Sequence, residues 1–293
     1  MAELPFIKMH GLGNDFVILD LRGSRGAGPD VEAVRRIANR RHGLGCDQLI
    51  VLRAADGADC RMEIFNADGS PAGACGNAAR CVGRLLMEET GAGEVTIAAG
   101  SRLLVARRDA DGGIAVDMGE ARFGWRDIPL ARAVDTDPLP LAFTELPAAA
   151  AVSIGNPHVV FFVPDVEEPP LARIAEEVLA DPLLVDGANV SLVAAEERGA
   201  DGRARVLAMR VFERGVGPTP SCGSAAVGAA AVAHRRGLVA EEVEVRQPGG
   251  RLRVTRDGRG HFWLAGPTAL VARGMLAAEL CAEAAPEVGE VPA

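Results

Sequence analysis

Alternation of apolar and polar positions runs through most of the chain. Cys60, Met62 and Ile64 alternate with Arg61 and Glu63, which predicts a half-buried strand delivering the turn Asn66-Ala67-Asp68-Gly69 to its tip. Phe6-Ile7-Lys8-Met9 and Val17-Ile18-Leu19 predict strands around the connector from His10 to Asp15, and Gln48 to Leu52 predicts another. Val95-Thr96-Ile97, Leu103-Leu104-Val105 and Ile114-Ala115-Val116 continue the series. Helical periodicity enters twice. Val31, Val34, Ile37 and Ala38 share a face behind the cap Pro29-Asp30, predicting an amphipathic helix that ends near His42-Gly43, with Arg35-Arg36 and Arg40-Arg41 on its solvated side. A second helix opens at Cys75 and runs through Val82, Leu85 and Leu86 to a glycine cap at Thr90-Gly91.

Between Gly119 and Ala149 the periodicity fades and Pro129, Pro138, Pro140 and Pro147 interrupt the chain, as in a crossover. The order then returns. Val152-Ser153-Ile154 and Val159 to Val163 flank Gly155-Asn156-Pro157-His158; a helix follows Pro169-Pro170; Val190 to Val193 and Val206 to Phe212 are strands. The helix from Ala225 to His234 is small and apolar on nearly every face, so it is expected to be buried all round. Val243-Glu244-Val245, Leu252-Arg253-Val254 and Phe262-Trp263-Leu264 close the series, and Thr268 to Leu280 is expected to pack back on the first half. Such a helix among short strands predicts an α+β fold of two pseudosymmetric lobes, each a curved, mostly antiparallel sheet wrapped around a central helix. The expected division is 1–120 with a C-terminal segment of about 266–293, then 121–265, with the active site in the cleft between.

A length of 293 residues with 48% hydrophobic content suits two such units. A net charge of −9 without a dense Lys/Arg block argues against a nucleic-acid partner. Met1 to Pro5 holds no apolar core of signal-peptide length and the Ala225–Ala233 run is too short to span a bilayer, so a cytoplasmic location away from membranes is expected. Six cysteines without a Cys-x-x-Cys pair predict reduced thiols and no metal site.

Two of those cysteines stand apart. Gly73-Ala74-Cys75-Gly76-Asn77-Ala78-Ala79-Arg80 returns as Pro220-Ser221-Cys222-Gly223-Ser224-Ala225-Ala226-Val227, each copy placing a thiol at a helix start. There the free backbone N–H groups and the positive dipole end favour a thiolate and receive an anion, so thiol acidity is expected to rise. Facing each other, the two thiols could remove a proton from one face of a carbon and return it to the other, inverting a stereocentre without a cofactor.

With His10-Gly11-Leu12-Gly13-Asn14-Asp15-Phe16, Phe65 to Ser70, Ala74 to Asn77, Gly155 to His158, Glu213-Arg214-Gly215 and Cys222-Gly223-Ser224 in this order, the chain resembles the diaminopimelate epimerases along nearly its whole length. That resemblance implies a cofactor-free isomerase interconverting LL- and meso-diaminopimelate for lysine and cell-wall synthesis, commonly a homodimer. It implies Cys75 and Cys222 as the acid/base pair, with His158 and Glu213 biasing their ionisation. It also implies that Asn14, Gln48, Asn66, Asn156, Asn189, Glu213 and Arg214 surround the substrate, and that the N–H groups of Gly76, Asn77, Gly223 and Ser224 grip the reacting carboxylate. The chain departs from the family pattern at Pro218, where a glutamate is usual, and at Ala78 and Ala225, where a glycine is common. Two other readings stay open: a cofactor-free racemase of another amino acid, and a non-catalytic ligand-binding or thiol redox-sensing protein.

Overall fold

Apolar side chains on both faces of successive strands require cover on both faces of a sheet, and the chain supplies it with helices of two kinds. In the computed structural model, which describes residues 4–24, 26, 28–73, 75–143 and 145–281, the first half comprises β1 (Leu4–Gly11), β2 (Asn14–Asp20), α1 (Val31–Ala38), β3 (Gln48–Arg53), β4 (Cys60–Asn66), β5 (Pro71–Ala72), α2 (Gly76–Thr90), β6 (Glu94–Ala99), β7 (Arg102–Arg108) and β8 (Ile114–Glu120). The second comprises β9 (Ala150–Ser153), β10 (Pro157–Phe162), α3 (Leu171–Leu179), β11 (Asn189–Arg198), β12 (Ala204–Glu213), β13 (Gly217–Thr219), α4 (Gly223–Arg235), β14 (Val239–Gln247), β15 (Gly250–Arg256) and β16 (His261–Gly266). β17 (Ala269–Leu276) and α5 (Ala278–Cys281) follow. Of the expected C-terminal segment, 282–293 lies outside the described residues, as does Ala74.

The halves repeat each other in pairing. β1–β2 is antiparallel, β2–β3 parallel, β3–β4 antiparallel, β4–β6 parallel, and β6–β7–β8 antiparallel. β9–β10, β10–β11, β11–β12, β12–β14 and β14–β15–β16 run through the same alternation. β8 and β16 join the two sheets edge to edge, Leu264 opposite Val116, and β17 returns to pair with β1. Within β2, Phe16 and Ile18 face the central core while Val17 and Leu19 face the layer under α1; β3 splits the same way, with Ile50 and Leu52 inward and Leu49 and Val51 outward. In the second half α3 covers the outer layer through Leu171, Ile174 and Val178.

The inner faces hold α2 and α4. Ten residues of α4, from Gly223 to Ala233, are buried, as its sequence predicts. α2 packs so close to the sheet that a Cβ at Gly83 would fall 2.6 Å from the Cβ of Ala106. α2 ends on Gly91 in the left-handed conformation, φ 74°, which glycine adopts without steric cost. One expectation is corrected. α1 stops at Ala38 rather than near His42, because Asn39 turns extended and its side chain accepts from the N–H of Arg41 and His42. Arg40 therefore leaves the helix and pairs with Asp15 and Asp47.

Candidate active site

Cys75 and Cys222 are the N-cap residues of α2 and α4, both with extended backbones (φ −116° and −132°). Added Cβ atoms at Gly76 and Gly223 would lie 3.0 and 2.7 Å from the same Leu264 Cδ2, and the Gly223 one 3.6 Å from Asn77 Oδ1. The two helix starts thus meet over a single side chain of β16. A side chain at Gly223 would displace the Leu264 methyl group on which both helix starts pack.

Each thiol ends a relay of side chains. Cys75 Sγ donates to Asn14 Oδ1 (3.7 Å), which also accepts from Asn77 Nδ2 (3.2 Å), and Asn14 Nδ2 donates to Asp47 Oδ2 (3.0 Å). On the other side Cys222 Sγ lies 3.5 Å from Ser224 Oγ, which accepts from Asn156 Nδ2 (3.3 Å). Asn156 Oδ1 in turn sits 3.0 Å from His158 Nε2. Because the Asn156 amide nitrogen faces the serine, its oxygen faces the ring, so Nε2 carries the hydrogen and Nδ1 is left without a partner. The imidazole is fully buried, and burial holds its pKa down at about 3, a neutral ring at physiological pH.

Burial dominates both thiols as well. It raises Cys75 above the ordinary thiol value; the N–H groups of Ala78 and Asn77 and the Arg80 charge oppose it, and Glu213 reinforces it. Burial raises Cys222 further, helped by Glu213, against Ser224 and the Ala225 N–H. The expectation of acidic thiols from helix position alone is therefore corrected: the helix ends pull in the expected direction, but desolvation and a carboxylate outweigh them. Glu213, at the end of β12, accepts from Thr219 Oγ1 and acts on both cysteines.

The remaining candidates fall on the same strand ends. Gln48 Nε2 donates to Asn66 Oδ1 (3.1 Å), and Asn66 Nδ2 to Ser70 Oγ (3.1 Å). Asn189, opposite His158 in the β10–β11 register, accepts from the Arg214 N–H (2.9 Å), and the Arg214 guanidinium donates to the Asp186 carbonyl. Pro218 stands opposite Phe212 in β13, which pairs with β12; it is exposed and its missing N–H costs no pairing further out.

Two contributors escape sequence reasoning. Gln247, closing β14, accepts from the Cys222 N–H through Oε1 (2.8 Å) and donates back to its carbonyl through Nε2 (3.4 Å), clamping the start of α4. Nothing marks it in sequence beyond its place before Pro248-Gly249. Arg80 donates from Nη2 to Asn77 Oδ1 (2.7 Å) and is fully buried. The available signal was a charge on the inward face of α2, in helical phase with Asn77. No helix among the described residues is long and apolar enough to cross a membrane.

A family model described as diaminopimelate epimerase matches residues 6–124 and 150–271. A diaminopimelate epimerase of Erythrobacter litoralis is 45% identical over 276 residues, covering 93% of this chain and 97% of that protein. One from Acidiphilium cryptum is 44% identical over 281 residues, covering 96% and 99%. Among solved structures, a phenazine biosynthesis protein of the PhzF family from Bacillus anthracis superposes with a TM-score of 0.64 at 18% identity, over 94% of this chain and 100% of that one, a likeness of fold.

Proposed function

The chain belongs to the diaminopimelate epimerase family, and we propose that Cys75 and Cys222 carry that family's reaction here from opposite faces of the substrate. The enzyme interconverts LL- and meso-2,6-diaminopimelate by moving one α-proton, an isomerisation that feeds lysine synthesis. One sulfur, as thiolate, takes the proton; the other, as thiol, delivers its own to the opposite face, and the roles reverse with the substrate's configuration. As the C–H bond breaks, charge builds on the adjacent carboxylate, which the helix-start N–H groups of Gly76, Asn77, Gly223 and Ser224 receive. Gln48, Asn66, Asn189 and Arg214 hold the distal amino-acid end, while Asn14 and Asn156 orient the two thiols. His158 acts as a neutral hydrogen-bond donor that fixes the Asn156 amide, and Glu213 adds to the burial that raises both sulfurs.

The observation that carries this reading is the meeting of two cysteine-capped helix starts over Leu264, each thiol held by its own amide relay. We place the division between lobes near residue 120, with β17 completing the first, and expect a cytoplasmic homodimer with a small-molecule substrate. Incubating the reduced enzyme with LL-diaminopimelate and with a panel of single-centre amino acids tests the substrate. Growth of the meso isomer, and its loss by roughly 10²–10⁴-fold in folded Cys75→Ser and Cys222→Ser variants, is expected. Inversion of another amino acid alone would transfer the same chemistry to a different racemase.

A further inference from the structure

The two relays begin on buried basic side chains that differ in charge. That of Cys222 begins on His158, which is neutral; that of Cys75 begins, through Asn14 and Asn77, on Arg80, which burial lowers only to about 10 and which therefore remains a cation. Arg80 is 0% exposed, and among the described residues only Nη2 finds a partner, while Nε and Nη1 have none. Backbone surrounds it: added Cβ atoms would lie 3.2 Å from Nη2 at Gly11, 3.9 Å from Nη1 at Gly223 and 3.6 Å from Cζ at Gly266. Gly11 of β1 thus makes room for it, while the Gly223 and Gly266 positions of α4 and β16 lie at ordinary contact distance in the seam between the halves.

A buried cation with no carboxylate partner is costly unless an anion forms beside it. The titratable groups that act on Arg80 are the thiols of Cys81 and Cys75. Cys81 is enclosed, and burial pushes its thiol up to about 12. Cys75 is the one that caps the helix, and it is only half-buried. A guanidinium is also a pure donor, so it forces the Asn77 oxygen toward itself and the Asn77 N–H toward Asn14; Asp47, a pure acceptor, pulls the Asn14 nitrogen and leaves its oxygen for Cys75. We infer that Arg80 is a positioning residue of the reaction, which locks the Asn77–Asn14 relay in the sense that orients the Cys75 proton and supplies the fixed counter-charge when that sulfur becomes a thiolate. This rests on Cys75 being one of the two acid/base groups. The pseudosymmetry is broken accordingly: the positive charge stands on the Cys75 side, Glu213 faces both sulfurs, and the Cys222 side has the neutral His158 and the Ser224 hydroxyl.

The test is the pH midpoint for alkylation of Cys75 by iodoacetamide, followed by peptide mapping on substrate-free enzyme, in wild type, Arg80→Gln, Arg80→Met and Arg80→Lys. The neutral variants are expected to move the midpoint up. In the epimerase assay kcat is expected to fall roughly 100-fold, more than KM changes. Arg80→Lys, which restores the charge, is expected to bring the midpoint back toward wild type. A folded Gln or Met variant with the wild-type midpoint overturns the inference. Should neither fold, the Lys variant decides: a midpoint near wild type supports the counter-charge and an upward move refutes it. The midpoint needs no substrate, so failure of wild type to act on diaminopimelate would fault the proposed substrate and leave the role of Arg80 to be decided by the alkylation series alone.

Discussion

Among the described residues Glu213 is the carboxylate that acts on both sulfurs, and its sign is opposite to that of the helix ends. Its charge raises Cys75 and Cys222 together, after burial, which is the larger cause for each. Glu213→Gln keeps an acceptor for Thr219 but removes the charge, so both thiols should ionise at lower pH and the rising limb of kcat/KM should move down by about one pH unit. A pH profile of the variant that superimposes on wild type would remove Glu213 from the electrostatics of the site. At this scale the cysteines were legible because the sequence repeats around them, and the asparagines through the family's motifs. Arg80 and Gln247 were not, because their significance lies in which backbone encloses them. A guanidinium on a helix reads as solvated until it is seen fully enclosed, with Gly11 packed against it.

The central helices owe their placement to small residues at the contact with the sheet. Gly83 sits mid-helix, where alanine would gain about 1 kcal/mol of helix propensity. The Cβ of Ala106 would be 2.6 Å away, however, on a strand that cannot swing aside, and overpacking of this kind costs up to about 3 kcal/mol. The clash should win: Gly83→Ala is expected to lose about 2 kcal/mol in urea unfolding, whereas a gain in stability would mean that α2 stands off the sheet. Apolar alternation located the strands that bury at least one face and passed over β5, β13 and β17, which do not. It could not reveal that β2–β3, β4–β6, β10–β11 and β12–β14 run parallel, since a strand's own pattern is indifferent to its neighbour's direction. The end of α1 was misplaced for a local reason, the Asn39 turn that apolar periodicity does not register.

Across the whole molecule, the repeated order of parallel and antiparallel pairs brings two equivalent helix starts to one seam, and the β8–β16 junction keeps them there. The same burial that tunes the site has a cost in acid. His158 is held at about 3 in the folded protein against 6.5 when free, so the unfolded chain binds the extra proton first and stability is lost as pH falls from about 6.5 toward 3. Urea unfolding at pH 5 should show a loss of about 2 kcal/mol relative to pH 7; an unchanged midpoint would mean that the ring is protonated in place. The central claim is that two different sulfurs serve the two faces of one carbon. The most direct measurement follows LL-diaminopimelate at early times in D₂O and compares deuterium in product and recovered substrate. Two opposed thiols predict that the meso product carries one deuterium at the inverted carbon while recovered substrate stays almost unlabelled. Equal labelling of both from the start would show one group working on both faces and would contradict the account.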